Sequence, residues 1–176
     1  MQLRKVPIFV SMLTTIALLF GGWFLYQKVN VEEPIRTQVG QLASFSLNEL
    51  KVEKEQIEIN LTVKKPDTLP EDYAKLMKTI SKIAPGKHVD ITFTNQDDQL
   101  KQVWASGLFA FTEALDLHQY SKIPALIEEI KATNRLDFAQ SHMDEERIYV
   151  YLKRGKSEYF VIVPKVNDEN EVTARG

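Results

Sequence analysis

The sequence predicts one N-terminal membrane-spanning helix followed by a single α+β domain, in which helices pack on one face of a mixed sheet. The first supporting observation is an uncharged apolar run from Val6 to Tyr26. At about 1.5 Å per helical residue, this run is long enough to cross a hydrocarbon core of roughly 30 Å. The second is that stretches of two-residue and of helical apolar period follow it, in the approximate order β-β-α-β-α-α-β-β.

These observations divide the chain into five predicted segments. They are a cytoplasmic tail (1–5), a transmembrane anchor (6–26), a juxtamembrane stalk (27–42), an extracytoplasmic domain (43–165) and a disordered polar tail (166–176). The stalk is predicted because residues 27–42 carry scattered charge, one proline and one glycine, without an apolar period.

Charge and aromatic placement orient the anchor. Arg4 and Lys5 precede the apolar run, which predicts an N-terminus inside the cell membrane and a domain outside it. Trp23 and Tyr26, at the far end, suit the outer interface. A cleaved secretory signal and a buried soluble helix are the alternatives. The signal is disfavoured because the residues after Leu19 contain no convincing small-residue cleavage site.

Composition excludes several classes of function. The 176-residue chain has no cysteine, so disulfides, thiolate catalysis and thiolate metal sites are absent. The chain contains 22 Lys and Arg and 24 Asp and Glu. Two of the basic residues precede the anchor, so the exported part is mildly acidic. Nucleic acid is therefore not an expected partner, because it requires a concentrated basic surface.

The first part of the domain predicts strand, helix and strand. Residues 44–52 alternate poorly and predict an edge strand at most, whereas residues 57–63 alternate strictly between apolar and polar. Thr68 and Glu71 have the spacing of a capping box, and a helical apolar stripe follows until Pro85-Gly86. Residues 89–93 alternate again, which favours a crossover between parallel strands.

Two further helices are predicted. Asn95 and Asp98 are candidate caps of a helix with a broad apolar face, and because Phe109 and Ala110 are also apolar, this helix is expected to be the most buried. A third helix is predicted between Ser121 and about residue 134, with a narrower apolar stripe.

The last predicted element is a hairpin of residues 147–153 and 158–164 around a four-residue loop. This register pairs Leu152 with Tyr159, Val150 with Val161 and Ile148 with Val163 on one face. The opposite face is unusually apolar for a side turned to water, and it is either covered by the chain itself or is a candidate partner surface. Its residues are Tyr149, Tyr151, Phe160 and Ile162.

No catalytic, cofactor-binding or metal-ligating residue is predicted. The histidines lack paired ligand spacing, the Asn95–Asp98 segment lacks the glycine and distal glutamate of a calcium loop, and the Asp144–Glu146 carboxylates have no apolar surroundings. No phosphate-binding glycine loop or nucleophile elbow occurs. The three histidines are His88, His118 and His142.

These observations favour, without settling, a noncatalytic role. The expected function is a membrane-anchored interaction or assembly module of the bacterial cell envelope, with an envelope protein or a second copy of the chain as partner. The alternative is an envelope hydrolase or small-ligand sensor whose site is assembled from distant residues.

Overall fold

The computed structural model describes residues 5–165, with side chains from residue 9 onward. Residues 1–4 of the predicted cytoplasmic tail and the predicted disordered tail (166–176) lie outside this range. The chain is a mixed α+β protein with a long N-terminal apolar helix and two small sheets. Its elements are α1 (Lys5–Gln27), a π-helical segment (Lys28–Glu32), α2 (Glu33–Gln41), β1 (Phe45–Val52), β2 (Gln56–Val63), α3 (Leu69–Ile83), β3 (His88–Phe93), α4 (Asp98–Asp116), α5 (Ile123–Asn134), β4 (Phe138–Met143), β5 (Arg147–Arg154) and β6 (Ser157–Pro164).

The chain forms two compact units. The first comprises the residues up to Leu61 together with Asp72–Thr92, and the second comprises Thr62–Glu71 together with the chain from Phe93 onward. Each unit has one three-stranded sheet at its centre, in the order β1-β2-β3 and β4-β5-β6 respectively.

Helix α1 is apolar, and its side chains from Phe9 to Tyr26 are all exposed. Of the described residues, only the helical stretch that starts in α1 is long and apolar enough to span a membrane. Large side chains such as Phe9, Leu18 and Phe20 are exposed along its length, which a helix surrounded by lipid tolerates and a helix in water does not.

The predicted stalk segment (residues 27–42) is mostly helical and packed, although no apolar period was recognised in its sequence. It continues α1 through the π-helical segment into α2, which packs against β1. Its buried residues recur at intervals of four, four, four and three, so that they form one stripe along the helix. These residues are Gln27, Val31, Ile35, Val39 and Leu42.

The polar member of this stripe is bonded to the first sheet. Gln27 is almost fully buried, and its amide donates hydrogen bonds to the backbone carbonyls of Val52 and Glu53 at the turn between β1 and β2. The ammonium group of Lys87 also donates to the Glu53 carbonyl. The end of α1 and the β1–β2 turn are therefore fixed to each other by packing and by hydrogen bonds.

The first sheet contains the strictly alternating strand that the sequence predicted. Ile57, Ile59 and Leu61 in β2 are fully buried, and the residues between them are half-buried. Next to this sheet, the N–H and the hydroxyl of the buried Ser44 both donate to the Asp72 carboxylate, at 3.0 Å and 2.8 Å. This carboxylate therefore satisfies two buried donors at the start of β1.

The second unit has a continuous apolar core between its two helices and one face of its sheet. Helix α4 contacts α5, α5 contacts β4, and α4 also contacts β5 and β6. Gly107 of α4 allows close approach of α5, because a Cβ atom there would overlap the end of the Ile130 side chain, which would have to move. The core residues of this unit include Leu100, Trp104, Phe111, Leu115, Ile127, Ile148, Val150 and Leu152.

The structure confirms the predicted hairpin register and adds a strand beside it. Ile148 pairs with Val163, Val150 with Val161 and Leu152 with Tyr159. The connecting loop is shorter than predicted, because Arg154 also pairs with Ser157 and Gly155 takes a positive φ of 61° in the tight turn. Strand β4, which the sequence analysis did not predict, pairs antiparallel with β5.

The strands form two sheets and not the one mixed sheet that was predicted. Sequence periodicity identifies which residues of a strand face a core, but it contains no information about which strands are neighbours.

Candidate functional site

The candidate site lies on the face of the β4-β5-β6 sheet that is opposite its helical core. Antiparallel pairing aligns side chains in rows across the three strands of this face. One row joins His142, Tyr149 and Ile162, and the next joins Gln140, Tyr151 and Phe160. Two of the four residues predicted as a partner surface, Tyr149 and Tyr151, are therefore paired with polar residues of the strand that the sequence analysis missed.

A short stretch of chain at the start of α3 covers part of this face. Residues 66–71, which belong to the same compact unit, form one wall of a pocket of about 110 Å³, and the sheet forms its floor. We call this the aromatic pocket. Its lining residues are Pro66, Asp67, Leu69, Pro70, Glu71, Gln140, His142, Tyr149, Val150, Tyr151 and Phe160.

The four residues of the predicted partner surface have different environments. Tyr149 and Phe160 are buried, with 4% and 3% of their surface exposed, while Tyr151 and Ile162 are half-buried. The first three line the aromatic pocket and Ile162 does not. A partner would thus reach this face through the pocket and along Tyr151, and not across an open apolar surface.

Ring stacking fixes the floor of the pocket. The rings of Tyr151 and Phe160 are stacked with their centroids 4.9 Å apart, and Phe138 packs against Tyr151 at 5.6 Å. Phe93 meets Phe160 edge-on at 6.0 Å. Such a cluster restricts ring rotation, so the floor of the pocket is rigid.

The two pocket tyrosines donate their phenol protons to carboxylates. The Tyr149 hydroxyl bonds to Asp144 at 2.6 Å, and the Tyr151 hydroxyl bonds to Glu158 at 2.8 Å. Burial and these hydrogen bonds to carboxylates raise the pKa of both phenols well above 10. Neither tyrosine can therefore act as a phenolate near neutral pH.

The segment before α4 fixes the outer edge of the sheet. The side-chain amide of Gln96 donates to the carbonyl of Phe160 and accepts from its N–H, as a neighbouring strand would. Asp97, and not Asn95 or Asp98 as predicted, caps α4 by accepting from the N–H groups of Gln99 and Leu100. The hydroxyl of Ser157 and the N–H of Leu100 lower the pKa of Asp97.

The remaining polar clusters have local structural roles. Asp144 accepts hydrogen bonds from the N–H groups of Glu146 and Arg147 and closes the turn before β5. Burial acts to raise the pKa of Asp144, but these bonds and the one from Tyr149 outweigh it, and the pKa is lowered. Across residues 5–165, no three His, Asp or Glu side chains are grouped as metal ligands.

Helix α4 presents an apolar surface that the sequence analysis did not predict. It was expected to be the most buried helix, yet Phe109 is 86% exposed and Leu108 is also exposed. The apolar period of α4 is broader than the stripe that α5 and the sheet can cover, so residues at its margin face solvent. The sequence contains this signal, because five consecutive residues, 107–111, are apolar or glycine and one helix side cannot hold them all.

Comparison with known proteins does not identify a family. No protein-family model matches the chain, and a search of curated proteins found no similar sequence.

Proposed function

We propose that this chain is a single-pass membrane protein whose C-terminal part is a noncatalytic interaction or assembly module outside the bacterial cell membrane. The N-terminal helix supports the anchor, because it is long and apolar and its side chains from Phe9 to Tyr26 are exposed. Arg4 and Lys5 before the helix, and the exposed aromatic rings of Trp23 and Tyr26 at its end, support the orientation.

The absence of cysteine allows a direct test of this orientation. Cysteine introduced at the exposed Ala125 should react with a membrane-impermeant maleimide in intact cells, and cysteine introduced at Gln2 should react only after permeabilisation. The reverse labelling pattern would overturn the orientation. Labelling of a soluble, shortened protein would instead show that the apolar run is a cleaved signal.

The aromatic pocket is the observation that supports a binding function. It joins a rigid floor of aromatic rings to carboxylate, amide and imidazole side chains at its margin. Binding sites combine an apolar surface with a few polar groups in this way. Catalysis is not proposed, because both phenols hold their protons and the Asp144 carboxylate serves the turn before β5.

Photo-crosslinking in intact cells tests this proposal. A photoreactive residue at the exposed, pocket-lining Gln140 should yield one discrete protein adduct, and the substitution Tyr151→Ser should abolish it. Tyr151 is the better target because it is half-buried, whereas replacement of the buried Phe160 would also disturb the core. Hydrogen exchange of the variant should match that of the wild type, which separates lost binding from lost folding.

Self-association is the second candidate function, and the exposed side of α4 favours it. Phe109 and Leu108 are adjacent large apolar side chains in contact with solvent. A purified protein in nonionic detergent that has the mass of a dimer, and that becomes monomeric with Phe109→Ser, would support this candidate. A monomeric wild type would exclude it.

The small-ligand sensor or hydrolase remains the alternative if no protein is captured. Asp67, Glu71 and His142 all line the aromatic pocket, so its lining includes two carboxylates and an imidazole. A small molecule that raises the melting temperature of the wild type, but not of Tyr151→Ser, would favour a sensor.

A further inference from the structure

We propose that the aromatic pocket receives the cationic end of a lysine or arginine side chain from the partner protein. This inference rests on the proposed binding function and specifies the chemistry of the partner. Three properties of the pocket support it: the charge of its lining, the use of its hydrogen-bond donors, and its size.

The charge of the lining is negative. Asp67 and Glu71 form part of the covering wall, and within the described chain no lysine or arginine lines the pocket. An anionic ligand would meet two carboxylates without a compensating cation. A cationic group would instead gain favourable Coulomb energy from both carboxylates.

The hydrogen-bonding capacity of the lining also favours a donor-rich ligand. The phenol protons of Tyr149 and Tyr151 are already donated to Asp144 and Glu158, so neither is offered to a ligand. The carboxylates of the covering wall can only accept hydrogen bonds while they are ionised. Ammonium and guanidinium groups carry three and five donors respectively and no acceptor, which complements the two carboxylates of the covering wall; the Gln140 amide and the His142 imidazole are the other polar side chains of the lining that carry donors.

The size of the pocket selects the end of a side chain over a whole metabolite. Its volume of about 110 Å³ is well below the 300–1,000 Å³ of typical small-molecule sites. Two of the lining residues, Leu69 and Phe160, are buried apolar side chains that could contact the methylene stem of a lysine. Lysine and arginine stems pack on apolar surface in this way while their heads remain polar.

Charge-removing variants with a matched control test the inference in the full-length protein in nonionic detergent. The double variant Asp67→Asn/Glu71→Gln removes both wall charges while preserving side-chain shape. The control Glu113→Gln/Asp116→Asn removes two exposed charges from α4, so it changes the net charge by the same amount away from the pocket. Butylammonium is the probe for a lysine side chain, and butanol is its neutral counterpart.

Amide chemical shifts of Gln140, His142 and Tyr151 report binding of the probe. Butylammonium should shift these resonances in the wild type and in the control, with roughly tenfold weaker affinity in the Asp67→Asn/Glu71→Gln variant. Butanol should shift them less at equal concentration. Equal binding of both probes, equal affinity in the two double variants, or no shift at these residues would each overturn the inference.

Crosslinking at Gln140 in cells separates this inference from the proposed function. Loss of the protein adduct in Asp67→Asn/Glu71→Gln, with retention in Glu113→Gln/Asp116→Asn, supports both. An adduct that persists in both variants refutes the proposal of a cationic ligand group but is consistent with the proposed binding module. Butylammonium binding without a protein adduct in the wild type refutes the partner side chain and indicates a free amine as ligand.

Discussion

Replacing Ile35 with alanine tests whether the stalk segment is part of the folded first unit. Ile35 is fully buried in α2, which packs against β1. The substitution deletes three carbon atoms, so at about 0.8 kcal/mol per buried methylene it removes about 2.4 kcal/mol of transfer free energy. The residual cavity adds to this, and measured losses for such substitutions lie at about 2–5 kcal/mol.

Hydrogen exchange of the full-length protein in detergent measures this loss. A loss of about 2.4 kcal/mol corresponds to roughly fifty-fold faster exchange of protected amides in β1 and β2, provided that they exchange by opening of this unit. Thr37→Ala, at an exposed position in the same helix, is the control and should leave exchange unchanged. Equal exchange in Ile35→Ala and Thr37→Ala would show that the segment is a mobile linker and would refute the packing argument.

Three further predictions follow from buried and exposed groups. Asp72→Ala should lower the free energy of unfolding by about 1.5–3 kcal/mol, since it removes the carboxylate that accepts hydrogen bonds from the N–H and the hydroxyl of the buried Ser44. A loss below about 0.5 kcal/mol in chemical denaturation would contradict this. Phe109→Ser should change the free energy of unfolding by no more than about 0.5 kcal/mol, because the ring is 86% exposed, and a large loss would mean that it is covered in the folded protein. Ultraviolet titration should show that Tyr149 and Tyr151 ionise above pH 10 in the folded protein. Because folding raises the pKa of both phenols, the contribution of the two tyrosines to stability is complete below pH 10 and is lost as the pH rises further. Ionisation near pH 10 with the fold intact would refute the hydrogen-bonded environment.

The hairpin could be predicted in detail because its signal is local. The apolar alternation in residues 147–164 leaves one register that places all core side chains on one face, and the structure has that register. The strand at 57–63 and the start of α3 directly after Thr68 are likewise encoded by neighbouring residues.

The helical stripe of the stalk segment was not recognised, although its pattern is present in the sequence. Its buried residues lie at helical spacing, but polar residues, Pro34 and Gly40 separate them and obscure the stripe. Pro34 is compatible with the helix because it occupies the first turn of α2. Gln27 could not be identified as buried, because its burial depends on two carbonyls of a turn that is distant in the sequence.

Strand β4 and the covering wall of the pocket could not be predicted from the sequence, because both depend on tertiary contacts. Among its six residues only Ala139 is buried, so β4 shows no apolar alternation of its own and is defined by pairing with β5. The aromatic face of the hairpin could be recognised from the sequence. That residues 66–71 cover it could not, since no local pattern links that stretch to a strand about eighty residues later.

Photo-crosslinking of wild-type protein in intact cells tests the central claim, that this anchored protein captures a partner through the aromatic pocket. The photoreactive residue is placed at Gln140, which lines the pocket, or at Ala132, which is exposed on α5 outside it. A discrete adduct from position 140 that is absent from position 132 and is lost in Tyr151→Ser is the expected result. Equal adducts from both positions, or none from position 140, would contradict the account.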